Sequence, residues 1–147
     1  MKRKTYHWLA VVLCLWTAMM AACQKSGEVQ SAEVLVSSDS VLTIRVVEAA
    51  ENATLYDVMK KLKEEGKIEF VSENSTYGQS IVSINGVENP SDWSYYWASY
   101  TTDKDNGEYA FTREETDWYY AAAGISYLPV KNGETYMFEY IENTYNG

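Results

Sequence analysis

The chain has 147 residues, with 12 Lys or Arg against 21 Asp or Glu, and a net charge of −9. So acidic a surface repels nucleic acid and anionic headgroups, which excludes both as partners held by charge. One histidine and two cysteines leave little material for histidine catalysis, zinc ligation or disulfides.

The first element is Lys2-Arg3-Lys4, an apolar run of 13 residues from Trp8 to Met20, and Ala21-Ala22-Cys23. A basic start, a short apolar core and small residues before a cut site predict a secretory signal over 1–22. The run is shorter than the roughly 18 residues a membrane span requires. Cys23 after Ala21-Ala22 resembles the lipobox of bacterial lipoproteins, with Met20 where that family usually has Leu. The resemblance implies a diacylglyceryl group on the Cys23 thiol, cleavage before it, and an extracytoplasmic protein lipid-anchored to the cell membrane. Cleavage leaves 125 residues with nine basic and 21 acidic side chains. His7 and Cys14 leave with the signal. With Cys23 acylated, the mature domain has no disulfide, and packing alone must stabilise it.

Residues 23–32 are small and polar and predict a flexible tether, followed by one domain over 33–147. Val34 and Val36 alternate as a weak strand, and 37–40 predict a turn. Val41–Val47 is a firmer strand, with Leu42, Ile44 and Val46 on one face. Thr54 predicts a helix cap, with Asp57 completing a capping box. Leu55, Val58, Met59 and Leu62 form one apolar stripe, and Gly66 ends the helix. Strands follow at 68–71, 80–84, 94–101, 118–121 and 135–141, with tight turns at Asn85-Gly86 and Asn132-Gly133. One helix among many strands, without alternating βα units, predicts an α+β fold.

Motifs for chemistry are sparse. Gly78-Gln79-Ser80 and Gly124-Ile125-Ser126 lack the second glycine of a nucleophile elbow. No phosphate-binding loop is present. Asp103-Lys104-Asp105-Asn106-Gly107-Glu108 misplaces the glycine of a calcium loop and predicts a hairpin turn tipped with acids. A paired-carboxylate mechanism would need two acids facing each other in a cleft. The expectation is a non-enzymatic domain without metal or catalytic residues.

Aromatic density is the remaining signal. Trp93, Tyr95, Tyr96, Trp97 and Tyr100 lie within eight positions, and Trp118, Tyr119 and Tyr120 form a second group. Period two puts Trp93, Tyr95 and Trp97 on one face of a strand and Tyr96 and Tyr100 on the other. A small domain cannot bury all of them, so these eight are the candidate ligand-binding residues.

Four segments, in this order, resemble the transcobalamin-like C-terminal domain family. They are Thr54-Leu55-Tyr56-Asp57-Val58-Met59; Tyr77–Gly86; Trp93-Ser94-Tyr95-Tyr96-Trp97; and Leu128–Tyr136. The likeness covers about residues 41–142. It implies a β-grasp-like mixed or antiparallel sheet with one helix packed on one face. In vertebrate cobalamin carriers the similar domain covers one face of cobalamin, which implies Trp93, Tyr96 and Trp97 as contacts here. The carriers' large helical domain is missing, so only half a site is present. The stretch 101–124 is longer than in compact members and could cover that edge.

The expected function is a lipid-anchored binding domain presenting an aromatic edge to a small planar ligand, with cobalamin or another corrinoid as the ligand the resemblance implies. The rival is a cell-surface protein- or glycan-interaction module without a small-molecule pocket. The anchor is tested first. Cys23→Ser should abolish incorporation of labelled fatty acid and move the protein out of the membrane fraction; continued labelling would refute the lipobox reading.

Overall fold

A computed structural model describes residues 27–144. Cys23, the signal segment and the start of the tether lie outside the described residues. Nine strands and one α-helix are found among the described residues. The strands are β1 (Val29–Ser37), β2 (Val41–Ala49), β3 (Phe70–Ser75), β4 (Gly78–Ile84), β5 (Val87–Glu88), β6 (Tyr95–Thr101), β7 (Gly107–Arg113), β8 (Thr116–Ala121) and β9 (Thr135–Glu142). The helix, α1, spans Leu55–Glu64. Six strands form one sheet in the order β1-β2-β9-β6-β8-β7, and β3-β4-β5 form a second. Every strand pair is antiparallel. The fold is mixed α+β and mostly antiparallel sheet.

The helix forms where the capping chemistry starts it. Thr54 Oγ1 accepts from the Asp57 N–H, and the Thr54 N–H donates to Asp57 Oδ2 at 3.0 Å. Leu55, Val58, Met59 and Leu62 are fully buried. They meet Leu42, Ile44 and Val46 of β2 and Tyr136 and Phe138 of β9 in one core. The small sheet adds Phe70, Ile81 and Ile84 to the same core. One face of the large sheet is therefore covered twice, by α1 and by the β3–β5 sheet.

The segment after β8 ties these layers together. Ile125 N–H donates to the Gln79 carbonyl, and Gly124 N–H to that of Tyr77. The Leu128 and Ile125 carbonyls accept from the N–H groups of Leu55 and Tyr56, each at 2.9 Å. Those are first-turn donors with no partner inside the helix. Val130 N–H then donates to the Ala53 carbonyl at 3.0 Å.

The opposite face of the large sheet is not open along its whole width. The β7–β8 hairpin joins β6 at only two residue pairs, Tyr100–Tyr120 and Thr101–Tyr119. Arg113 of β7 reaches Glu139 of β9 with two bonds of 3.1 Å. Strands β8 and β6 lie between them in the sheet order, so the hairpin curls over the face. Beneath it Ala98, Tyr100, Trp118 and Met137 form a second, smaller core.

Three expectations change. β1 begins at Val29, inside the segment read as tether, because Ala32 and Val29 bury against the sheet. Gly27 is itself held by a 3.1 Å bond from its N–H to Asn52 Oδ1. The strand expected at 68–71 starts at Phe70, and β5 and β7 were not anticipated from sequence. β7 reads as a loop because its residues are mostly exposed and it starts at a glycine.

Leu62 is buried while Lys61, half-exposed, pairs with Glu65 at 3.0 Å. Leu62→Ala should cost about 2–5 kcal/mol through lost burial and the cavity left. Lys61→Ala should cost about 0.5 kcal/mol or less. Urea midpoints measure both, and equal midpoints would contradict the packing.

Candidate functional site

The aromatic strand is split between roles by its pleat. Trp97 points into the main core at 5 % exposure, and its indole N–H donates to the Val87 carbonyl at 2.9 Å. Tyr95 shares that face nearer the rim and stacks on Tyr140, ring centres 5.5 Å apart and 19° from parallel. Tyr96 and Tyr100 point to the other face, as expected. Tyr100 is buried against Phe111 and Tyr120, at ring separations of 5.3 and 4.8 Å. Burial, then the Tyr120 hydroxyl and Glu139, holds its phenol well above the ordinary value. Trp118 is buried in the same small core, Tyr119 is half-buried, and Tyr120 is exposed.

Trp93 departs from the expectation. It lies before β6, not on it, so it does not share a strand face with Tyr95 and Trp97. Its φ is +56°, a left-handed conformation that is unusual for a bulky residue. Its N–H donates to the Pro90 carbonyl at 3.0 Å, while Asp92 accepts from the Ser94 N–H. This turn holds the indole out, 53 % exposed.

Trp93, Tyr96 and Trp97 all line a cleft of about 230 Å³ between β4 and β6, although the Tyr96 side chain also packs against the smaller core on the other face. Ile81 and Ile125 complete its apolar lining, and Gln79, Ser80, Asn89 and Ser99 supply polar groups. No charged side chain lines it. Asn89 fixes the width at one end. Its Oδ1 accepts from the Trp97 N–H at 3.1 Å, and its Nδ2 donates to the Ile81 carbonyl at 2.9 Å. Gly124 closes the other end, where a Cβ would overlap the Tyr77 carbonyl. Two other hollows are lined by none of the eight candidates. One of about 630 Å³ lies along β3–β5 between Glu69 and Glu88, and one of about 250 Å³ lies beside Asp57, Lys60 and Lys61.

Of the eight candidates, the structure brings Trp93, Tyr96 and Trp97 to the cleft. It places Tyr95 on the rim of the same sheet face, Tyr100, Trp118 and Tyr120 on the opposite face, and Tyr119 half-buried on β8 outside the cleft lining. Asn89, Ser99 and Gln79 were missed, since isolated polar residues carry no pattern. Tyr77 and Tyr127 were also missed, and both are strongly exposed.

The acidic segment at 103–108 is not a hairpin tip. Residues Lys104–Asn106 form a 3₁₀ turn capped by Asp103, whose side chain is nearly buried. Asp103 accepts from Lys131 Nζ at 2.9 Å, Asn106 Nδ2 at 2.7 Å and the Asp105 N–H at 3.0 Å. Lys131 also reaches Asp105 at 2.8 Å. An ammonium group thus fills the place a cation would take. Among the described residues no group of three potential metal-ligating side chains occurs.

Comparisons of the chain with protein-family profiles, with curated proteins and with solved structures gave no match.

The Asp103 cluster has a pH signature. Burial raises its pKa, but the bonds from Lys131, Asn106 and Asp105 outweigh that and leave it below the ordinary 3.8. A depressed carboxyl contributes stability above its unfolded pKa and loses it as pH falls through the folded value. Asp103→Asn should therefore lose less stability than the parent between about pH 6 and about pH 2. Urea midpoints at both ends test this, and parallel losses would show that Asp103 does not contribute.

Proposed function

We propose that this chain is a lipid-anchored, extracytoplasmic, non-enzymatic binding domain that takes a small ligand at the β4–β6 cleft. One observation carries the reading. Trp93 is held out of the core by a left-handed turn, at the mouth of a cleft floored by buried Trp97. An exposed indole in a constrained conformation costs backbone strain with no packing return. Ligand contact is the return this reading assigns to it, since aromatic anchors beside apolar pockets dominate binding energies.

The lipid anchor at Cys23 and the extracytoplasmic location rest on the signal pattern. The β-grasp-like architecture and the kinship with transcobalamin-like domains rest on the four sequence segments and on one helix crossing one sheet face. On that kinship the ligand is cobalamin or another corrinoid. The cleft is below the roughly 300–1,000 Å³ of drug-sized sites, so a corrin ring would lie across Trp93 with only a peripheral group inside. Exposed Tyr77 and Tyr127 favour the second reading, a glycan- or protein-interaction surface.

The alanine series separates site from core. Trp97→Ala should destabilise by about 3–5 kcal/mol. Trp93→Ala should fold within about 0.5 kcal/mol of the parent and lose about 2 kcal/mol of binding. Tryptophan-fluorescence titration with cobalamin and a glycan panel reads the second effect. Unchanged binding by Trp93→Ala, with every ligand that the parent binds, would refute the cleft reading.

A further inference from the structure

The cleft wall formed by β6 has a specific hydrogen-bonding pattern. In an antiparallel ladder, residue pairs alternate between exchanging two bonds and exchanging none. Trp97 lies opposite Tyr140. The Trp97 N–H donates to Asn89, and the Tyr140 N–H donates to the Ser40 carbonyl at 2.8 Å. That pair exchanges no bonds, so the pair two residues on, Ser99–Phe138, exchanges none either. The backbone groups of Trp97 and Ser99 therefore face away from β9. On that side β8 pairs only with Tyr100 and Thr101. The Trp97 carbonyl and the Ser99 N–H are left outside both ladders, on the edge that lines the cleft.

A carbonyl at one position and an N–H two residues later are what one residue of a parallel neighbouring strand engages. Its N–H donates to the first and its carbonyl accepts from the second. We infer that the cleft reads one uncharged residue of an extended peptide, or an equivalent amide unit, through the Trp97 carbonyl and the Ser99 N–H. The inference rests on the cleft being the binding site and names the chemistry it takes. The absence of charged side chains from the lining selects against ionic ligand groups, whose desolvation nothing there would offset. Ile81 and Ile125 offer an apolar seat for a small side chain. The volume suits a single residue, and Trp93 at the mouth covers the chain as it leaves. The amide could belong to a free peptide or to an amide arm of a larger ligand such as a corrinoid.

The probe is acetyl-Ala-Ala-Ala-amide, titrated into the purified protein while indole fluorescence and the Ser99 amide resonance are followed. Binding should shift that resonance downfield. Methylating the ligand nitrogen that faces Trp97 should weaken binding about tenfold, the effect of one lost hydrogen bond with its partner left unpaired. Each internal nitrogen is methylated in turn to find it. Ser99→Pro removes the donor without breaking a ladder bond and should weaken binding similarly, whereas Ser99→Ala should not. If Ser99→Pro does not fold, the methylated peptides on the unaltered protein decide alone.

Equal affinity for every methylated peptide would overturn the inference. Cobalamin that competes with the peptide and shifts the same resonance would assign the amide to a corrinoid arm. Peptide binding without such competition would assign it to a peptide. A neutral saccharide that quenches Trp93 when no amide binds would overturn the amide reading and leave the cleft standing. If no ligand, amide or otherwise, perturbs Trp93 or Ser99, the cleft reading falls too.

Discussion

The backbone bonds made by residues 124–130 hold the layers in one arrangement. An α-helix leaves its first N–H groups without internal partners. Thr54 answers part of that need with its side chain, and the Ile125 and Leu128 carbonyls answer the next part. The same segment gives N–H groups to β4 through Gly124 and Ile125. One short stretch therefore joins α1 to the small sheet and follows directly from β8 of the large one. Leu128 and Ile125 bury their side chains as they do so. Gly124 is required there because the β4 backbone passes too close for a Cβ. The width of the β4–β6 cleft is set by that approach at one end and by Asn89 at the other.

Without a disulfide among the described residues, the rest of the stability comes from two cores on opposite sides of one sheet. The larger joins aliphatic residues of β2, α1 and the small sheet to Tyr136 and Phe138 of β9, Phe70 of β3 and Trp97 of β6. The smaller consists of Tyr100, Trp118, Met137 and Ala98 under a curled hairpin. Its cover depends on two residue pairs with β6 and on the Arg113–Glu139 pair, which is partly exposed and so contributes modestly. The hairpin is thus the least supported part of the sheet. Three of its residues, Tyr109, Glu114 and Glu115, also have positive φ.

Most of the fold was legible where periodicity and end signals agreed. The α1 stripe, its capping box, the β2 face and the Asn85-Gly86 turn all follow from local rules, and the structure bears them out. Trp93 was misread because strand period was extended back past the point where the chain turns, and left-handed backbone carries no pattern in a non-glycine sequence. The acids at 103–108 were read as a hairpin tip because Lys131, which holds Asp103 and Asp105, is remote in sequence. The cleft itself could not be read. It exists because β8 leaves β6 after two residues, and Asn89 bridges two strands that never pair. Both are properties of long-range register and not of composition.

On the proposed anchor at Cys23, the bond from Gly27 to Asn52 would limit how far the folded body can stand from the lipid. Only Gln24, Lys25 and Ser26 separate Cys23 from Gly27, and four extended steps of chain reach about 14 Å. With acyl chains on Cys23, the end of the domain that carries Gly27 would ride against the headgroups instead of swinging free on a long stalk. Capture would then be confined to a thin layer next to the bilayer. Encounter would depend on how molecules crowd and drift within that layer, more than on their concentration farther out.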